Sequence, residues 1–271
     1  ESSPDYSIVG APEGTSPIEL DYPDDKSAAN QVNNTFKGDG GVRIGSLWNR
    51  LLYSIKFRDG NILLSDSINP ESQILYDRAP RERVQKVAPF LTLDGDPYPA
   101  VVDGRVKWIV DGYTTTARYP YSRTTILEDA TSDSVTVTST SVEALPRQRV
   151  NYIRNSVKAT VDAYDGKVTL YTWDDSDPIL KAWDAAFPGA LEPMSKISAD
   201  LMSHLRYPED IFKVQRIMLQ RYHVTNAAGF FNTQDFWQLP SDPTLSGSQG
   251  QLQPAYYVTL RMPDQAAPTF S

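Results

Sequence analysis

The segment YPAVVDGRVKWIVDGYTTT, residues 98–116, carries the strongest fold signal in this sequence. Asp103 and Gly104 stand between two runs that are rich in β-branched and aromatic residues. A two-residue type I′ turn needs positive φ at both central positions, and Asp-Gly is among the pairs that adopt it most readily. The segment therefore predicts a β-hairpin with strands near 98–102 and 105–110.

A second segment of the same kind, NSVKATVDAYDGKVTLYTW, spans residues 155–173 and has Asp165-Gly166 near its centre. It predicts strands near 156–163 and 167–173. Two hairpins that share an apolar face can form a stable antiparallel sheet. Between the hairpins, residues 132–146 alternate Val with Ser and Thr, which predicts a half-exposed edge strand.

Apolar residues at helical spacing predict several helices. The clearest begins after Ser46, a good N-cap, and its apolar residues recur at three- and four-residue intervals, so we expect that face to be buried. They are Leu47, Trp48, Leu51, Leu52 and Ile55. Further helices are predicted from Pro80 and over 177–187, 198–207 and 207–224, the last with an apolar stripe of Ile211, Val214, Met218 and Tyr222.

Strands and helices come in blocks rather than in βαβ alternation, which predicts the α+β class. We expect an antiparallel sheet built around two Asp-Gly hairpins and covered by four or more helices. Residues 68–77 have room for a short turn or helix, and residues 255–262 return as a strand. Residues 1–41 predict an extended arm and a mobile loop, and residues 42–271 a single α+β domain with a subdomain boundary near 175–195.

The composition excludes several kinds of site. The net charge is −8 and the acidic residues are spread along the chain, so nucleic acid is not an expected partner. The absence of cysteine excludes disulfides, thiolate catalysis and iron–sulfur ligation. His204 and His223 belong to no metal-binding motif, and helix-end packing is their expected role.

Two short runs of aspartate at turns offer the hard oxygen ligands that calcium prefers. They are Asp94 and Asp96 in DGD, and Asp174 and Asp175 in DDSD. Neither run matches an EF-hand loop, and no other cofactor is predicted. The second run also predicts a helix start, because Asp177 before Pro178 is a good N-cap followed by a residue favoured in the first turn.

An arginine cluster and a few aromatic residues are the other features that could bind a partner. Arg147, Arg149 and Arg154 predict either a docking site for an anionic glycan, lipid headgroup or neighbouring domain, or pairing with nearby carboxylates. Acids and aromatic rings, namely Asp174 and Asp175 with Trp173, Trp183 and Trp237, would also suit glycan hydrolysis by two carboxylates. The sequence has no nucleophile elbow, phosphate-binding loop or dinucleotide fingerprint.

Four long blocks of this sequence resemble an uncharacterised family of large actinobacterial membrane proteins, uncharacterised protein family 0182. The blocks are GSLWNRLLYSIKFRDGNILLS, ILYDRAPRERVQKVAPFLTLDGDPYPAVVDGRVKWIVDGYTTTARYPYS, VNYIRNSVKATVDAYDGKVTLYTWD and LRYPEDIFKVQRIMLQRYHVTNAAGFFNTQDFWQLPSDP. The resemblance extends from about Asp5 to Ser271. It implies a bundle of membrane helices followed by an extracytoplasmic region that contains this chain, and it supplies no catalytic residues.

Three functional hypotheses follow from these observations. The first is a non-catalytic extracytoplasmic interaction or binding module at the cell membrane, with envelope glycan, lipid or protein as its partner. The second is an envelope glycan or peptide hydrolase that uses paired carboxylates. The third is a structural or assembly domain that packs on the remainder of the parent membrane protein, and a contiguous exposed apolar patch would favour it.

Overall fold

A computed structural model describes residues 5–10, 19–27, 30–244 and 251–270. Residues 1–4, 11–18 and 28–29 of the predicted arm and loop lie outside the described residues. The α-helices within the described residues are α1 (Leu47–Phe57), α2 (Asn61–Leu64), α3 (Pro80–Val87), α4 (Leu127–Thr131), α5 (Ser134–Thr138), α6 (Pro178–Ala186), α7 (Ala199–His204), α8 (Glu209–Tyr222) and α9 (Ala227–Phe231).

The β-strands of the described residues form several small sheets and one larger sheet. They are β1 (Tyr6–Val9), β2 (Glu19–Pro23), β3 (Gln31–Asn34), β4 (Val42–Arg43), β5 (Gln73–Tyr76), β6 (Thr92–Leu93), β7 (Tyr98–Val102), β8 (Arg105–Thr116), β9 (Thr125–Ile126), β10 (Arg149–Val150), β11 (Tyr152–Asp162), β12 (Val168–Thr172), β13 (Thr259–Leu260) and β14 (Thr269–Phe270). Antiparallel strand pairs together with helices confirm the predicted α+β class.

The chain divides into two compact units. Unit 1 consists of residues 1–83 and 161–168, and unit 2 of residues 84–160 and 169–271. The arm predicted over 1–41 and the subdomain boundary predicted near 175–195 stay predictions.

Unit 1 contains a three-stranded sheet in the order β1-β5-β4. Its central strand was not predicted, because residues 68–77 indicated a short turn or helix. Ile74 of β5 pairs with Ile8 on one side and Val42 on the other, so antiparallel partners on both sides hold this segment extended. Part of the predicted mobile loop is likewise a strand, since β3 pairs with β2.

Helix α1 begins at the predicted N-cap, where the Ser46 hydroxyl accepts from the Asn49 N–H at 3.2 Å. The prediction for its buried face was wrong. Tyr53 and Phe57 pack against the core of unit 1, which is formed by Ile44, Ile62, Ile68 and Ile74. Four of the five residues predicted to be buried, Leu47, Trp48, Leu52 and Ile55, are exposed instead, and Ile55 keeps 66% of its surface exposed.

Unit 2 is built on a sheet in the order β12-β11-β8-β6, with β7 also paired to β8. Val102 pairs with Arg105 across a two-residue connection, in which Asp103 has a φ of 51° and Gly104 a φ of 75°. The connection from β11 to β12 is longer than predicted. It spans residues 163–167, because the Gly166 N–H bonds back to the Asp162 carbonyl, and Gly166 has a φ of 69°.

The edge strand predicted over 132–146 is wrong, because residues 134–138 form helix α5. The Asp133 carboxylate accepts from the backbone N–H groups of Val135 and Thr136, and the Thr136 hydroxyl accepts from the Asp133 N–H. This capping box satisfies the donors at the helix start. It outweighs the strand preference of alternating Val and Thr.

The predicted stripe of α8 is buried only at its N-terminal end. Ile211 belongs to a buried cluster with Tyr113, Leu127, Leu145 and Val150, and Val214 packs against that cluster. Met218 and Tyr222 are exposed, contrary to the prediction. The strand predicted over 255–262 is shorter in the structure, where only β13 is a strand in this range and pairs with β14.

None of the helices in the described ranges is both long enough and apolar enough to cross a membrane.

Candidate functional site

Unit 2 contains a pocket of about 440 Å³ between β11, the end of β12 and the α7–α8 connection. Its lining combines cationic, aromatic and amide side chains. The lining residues are Ile153, Arg154, Asn155, Lys158, Trp173, Asp174, Met202, Leu205, Arg206, Tyr207, Pro208, Ile211 and Gln215. We call it the basic pocket because three of these residues are cations and one is an acid.

Arg206 lies in the short connection between α7 and α8. Its backbone N–H donates to the Tyr98 hydroxyl at 3.1 Å, which fixes the position of the connection. The guanidinium lies 4.1 Å from the centre of the Tyr98 ring and 4.9 Å from that of Phe270. Within the described residues, no carboxylate oxygen lies within 4.0 Å of the Arg206 guanidinium. Cation–π contacts with these aromatic rings stabilise its charge instead.

Lys158 projects from β11 and is almost completely buried, with 1% of its surface exposed. Its ammonium pairs with Asp111 of β8 and donates to the Arg206 carbonyl at 3.0 Å. Burial raises the pKa of Asp111 to about 6, although the neighbouring Lys158 favours the charged carboxylate. The ammonium also lies 5.3 Å from the centre of the Trp173 ring. These contacts join the sheet to the α7–α8 connection at the back of the pocket.

Two further polar groups complete the lining. Arg154 pairs with Asp174 at 3.3 Å, and Asp174 also accepts from the Ser176 N–H and hydroxyl. The Asn155 Oδ1 atom is buried and has no hydrogen-bond partner in the described part of the chain. A buried acceptor without a donor costs free energy.

Asp94 has a structural role at the start of α8. Its Oδ1 accepts from the Asp96 N–H, and its Oδ2 accepts from the Tyr113 hydroxyl and, at 3.2 Å, from the Asp210 N–H. Pro208, at the N-cap position of α8, has no side-chain cap hydrogen bond, so Asp94 supplies an acceptor for the helix start from a remote loop. Burial and the Asp94 charge raise the pKa of Asp96.

Calcium binding at Asp94, Asp96, Asp174 and Asp175 stays a prediction from the sequence. Both carboxylate oxygens of Asp94 and of Asp174 already have protein partners, and Asp175 is exposed. No group of three or more His, Asp or Glu side chains that could hold a metal ion is found over residues 5–10, 19–27, 30–244 and 251–270.

A buried lysine lies beside these acids. The Lys213 ammonium is within 2.8 Å of Asp133 and 2.9 Å of Glu209, and it has no exposed surface. Burial and the nearby Asp94 charge raise the pKa of Asp210 well above its ordinary value. Burial also raises the pKa of Glu209, while Lys213 opposes that shift. This network joins the starts of α5 and α8 and lies outside the lining of the basic pocket.

A second pocket of about 420 Å³ lies next to the first, and Tyr207 lines both. Its lining is mostly aromatic and apolar. The residues are Tyr207, Glu209, Phe212, Gln253, Pro254, Ala255, Tyr256 and Tyr257. Glu209 is the single acid among them.

The structure separates other residues that the sequence grouped. Of the arginine cluster, Arg154 lines the basic pocket, Arg147 pairs with Glu128 at 3.2 Å, and Arg149 is an exposed residue of β10. The three tryptophans also contact different residues. Trp173 lines the basic pocket, Trp183 stacks on Phe90, and Trp237 stacks on His223.

Sequence reasoning missed Lys158 and Arg206. A signal for Lys158 was present, because it is a charged residue within an otherwise apolar and hydroxyl-bearing strand, which indicates a buried ion pair. Arg206 carries no such signal. Its role depends on Tyr98, which is more than a hundred residues away in the sequence.

The fold and the pocket define a mixed helix-and-sheet module with a cation-rich cleft in an acidic chain. No solved structure matches the chain significantly. The model of the uncharacterised protein family UPF0182 matches residues 1–271, and the chain belongs to this family.

Relatives in this family are long actinobacterial proteins. The UPF0182 proteins of Kineococcus radiotolerans and of Arthrobacter sp. strain FB24 are each 59% identical to the chain, over 100% of its length and 26% of their own. The UPF0182 protein of Bifidobacterium longum is 60% identical, over 98% of the chain and 25% of its own length. These relatives confirm the resemblance inferred from the sequence. The chain spans about a quarter of their length.

Proposed function

We propose that the chain is a non-catalytic binding module of a larger envelope protein, and that the basic pocket binds a ligand that carries an oxyanion. The observation that carries the proposal is Arg206, a cation in the pocket wall with no carboxylate within 4.0 Å among the described residues. Three cations and one acid line this pocket in a chain whose net charge is −8. Such local reversal of charge favours an anionic ligand.

The rest of the lining favours a ligand with a ring and hydroxyl groups. A guanidinium can form two parallel hydrogen bonds with a phosphate or a carboxylate. Trp173 and Tyr207 offer aromatic surface on which a sugar ring can lie, and the Gln215 side-chain amide in the lining can donate to a hydroxyl oxygen. Phosphorylated or carboxylated sugars combine these features, so acidic envelope glycans are the proposed ligand class.

A binding role is favoured over glycan hydrolysis by the distribution of carboxylates. Glycosidases place two carboxyl groups about 5 to 9.5 Å apart across one cleft. Among the described residues, Asp174 is the one acid in the lining of the basic pocket and Glu209 the one acid in that of the second pocket. Of the acids near Lys213 that have raised pKa values, Asp210 accepts from the Gly95 N–H and Glu209 pairs with Lys213, and only Glu209 lines either pocket.

An extracytoplasmic position belongs to the same proposal. It rests on the resemblance to a family with membrane helices and a long extracytoplasmic region. Envelope glycans would be accessible from that side of the membrane.

Titration calorimetry of the chain at low ionic strength with four probes tests the binding proposal. The probes are inorganic phosphate, glucose 6-phosphate, glucuronic acid and, as a neutral control, glucose. We expect the two acidic sugars to bind and glucose not to bind. Replacing Arg206 with Gln should weaken binding about 10- to 100-fold, because a charge-assisted hydrogen bond contributes roughly 1.5 to 3 kcal/mol.

The matched control is Arg147→Gln, which removes an exposed arginine outside the pocket. Its affinities should equal those of the wild type. Equal affinity of Arg206→Gln and wild type for the acidic sugars, or no binding of either at millimolar concentration, would reject the proposal. Turnover of an acidic oligosaccharide that disappears in Asp174→Asn would favour the hydrolase hypothesis instead.

A further inference from the structure

The outer face of α1 is an apolar helical surface that is exposed in unit 1. No residue of Leu47–Phe57 is buried. Leu47 is 72% exposed, Trp48 66%, Leu52 48% and Ile55 66%. Trp48, Leu52 and Ile55 are separated by four and three positions, so they follow one line along the helix. Apolar patches of this kind on a monomer mark interaction sites.

The helix presents this face from a fixed position. On its inner side, Tyr53 and Phe57 pack on the core of unit 1, and Phe57 also lies 4.7 Å from the Tyr6 ring. Helix α2 packs against α1, and its Leu64 is also exposed, at 79%. Because the inner side is anchored, the outer stripe is available for a second contact without any rearrangement of the fold.

We propose that this face is covered in the intact protein by a segment of the same polypeptide that lies outside these 271 residues. The relatives are about four times as long as the chain, so most of such a polypeptide is available as the partner. The proposal concerns unit 1 and is independent of ligand binding in the basic pocket.

The size of the face favours a tethered partner over a second copy. A helix of 11 residues is about 16 Å long and roughly 10 Å wide, so one side of it offers on the order of a few hundred Å². A stable interface between separate proteins needs about 800 Å² on each partner. A segment of the same chain needs less, because the tether supplies a high effective concentration.

The positions of the two cations of α1 argue against a lipid surface as the cover. Helices that lie on membranes use Lys and Arg on their polar face to bind anionic headgroups. Arg50 instead donates to the carbonyls of Ser65 and Ile68. The Lys56 ammonium lies 3.7 Å from the centre of the Tyr76 ring, inside the aromatic cluster of unit 1.

Photo-crosslinking of the intact protein in its native membrane tests this assignment. A benzophenone-bearing amino acid replaces Trp48 in one variant and Ile55 in a second, so the result does not depend on one position. The control variant carries it at Tyr121, a fully exposed residue of unit 2. Mixing isotopically light and heavy protein before irradiation distinguishes crosslinks within one chain from those between copies.

We expect Trp48 and Ile55 to crosslink within one chain to peptides outside the 271 residues, with at least a tenfold excess over the Tyr121 control. Mixed light–heavy crosslinks would assign the face to a second copy, and lipid adducts would assign it to the membrane. Either result would overturn the proposal. So would a crosslinking yield no higher than that of the Tyr121 control.

Discussion

Asp177 fixes the start of α6 with a buried carboxylate that has four donors. Its Oδ1 accepts from the Ile179 N–H at 3.0 Å and from the Tyr152 hydroxyl at 2.8 Å. Its Oδ2 accepts from the hydroxyls of Thr114 and Ser156. The predicted N-cap is thereby confirmed, and the same side chain also ties the helix to the sheet.

Replacing Asp177 with Ala should therefore cost more than an ordinary N-cap. Loss of a cap costs about 0.5 to 2 kcal/mol, and donors left without a partner add about 1 to 3 kcal/mol. We expect the free energy of unfolding to fall by roughly 2 to 4 kcal/mol in urea denaturation. Asp175→Ala, at an exposed position two residues earlier, should change it by less than about 0.5 kcal/mol.

The same variant should show a defined pH dependence. Burial raises the pKa of Asp177, but hydrogen bonds from Ser156, Thr114 and Tyr152 outweigh burial and lower it. A lowered pKa means that the carboxylate stabilises the fold above its unfolded pKa of about 3.9, and this contribution disappears as the pH falls through the lower folded value. The stability gap between wild type and Asp177→Ala should therefore narrow below about pH 4. A gap that widens on acidification would show that burial dominates.

Helices α1 and α8 show how an element with a strong apolar stripe can place that stripe on the outside. In α1 the buried side uses Tyr53 and Phe57, and the aliphatic stripe faces outward. In α8 the N-terminal part is buried with its charged Lys213, while Met218 and Tyr222 are exposed. Both helices therefore bury polar or aromatic residues in place of part of the predicted apolar surface.

Two substitutions in α1 distinguish its faces. Phe57→Ala removes a ring that packs on the core of unit 1 and should lower the free energy of unfolding by about 2 to 4 kcal/mol. Leu52→Ala, on the outer face, should change it by less than about 0.5 kcal/mol in the chain by itself. Thermal or urea unfolding of the 271-residue chain measures both values. A larger loss for Leu52→Ala than for Phe57→Ala would mean that the outer stripe is the core-facing one.

The chain has a net charge of −8, a basic pocket in unit 2 and an exposed apolar helix face in unit 1. If it is extracytoplasmic, a single cysteine introduced at the exposed Tyr121 of the intact protein should react with a membrane-impermeant maleimide in whole cells. The chain has no cysteine of its own, so any label in its peptides reports the introduced site. Labelling that occurs only after lysis would place the chain on the cytoplasmic side.

The local sequence predicted those features that depend on neighbouring residues. The Asp177-Pro178 helix start and the Ser46 cap depend on contacts within a few positions, so capping chemistry was sufficient to predict them. The α+β class followed from the order of strands and helices along the chain. Long blocks of similar sequence also identified the family. The Asp165-Gly166 connection and the 132–146 segment were misjudged, because a longer loop and a capping box competed with the strand pattern.

Only the tertiary structure decided which surfaces are buried and which charges meet. Periodicity shows that α1 has an apolar stripe, but Tyr53 and Phe57 take the core because the aromatic cluster around Tyr76 forms on their side. The basic pocket depends on Lys158 meeting Asp111 and on Arg206 stacking on Tyr98. Such contacts join residues tens of positions apart, and their energies depend on burial that exists only once the chain is folded.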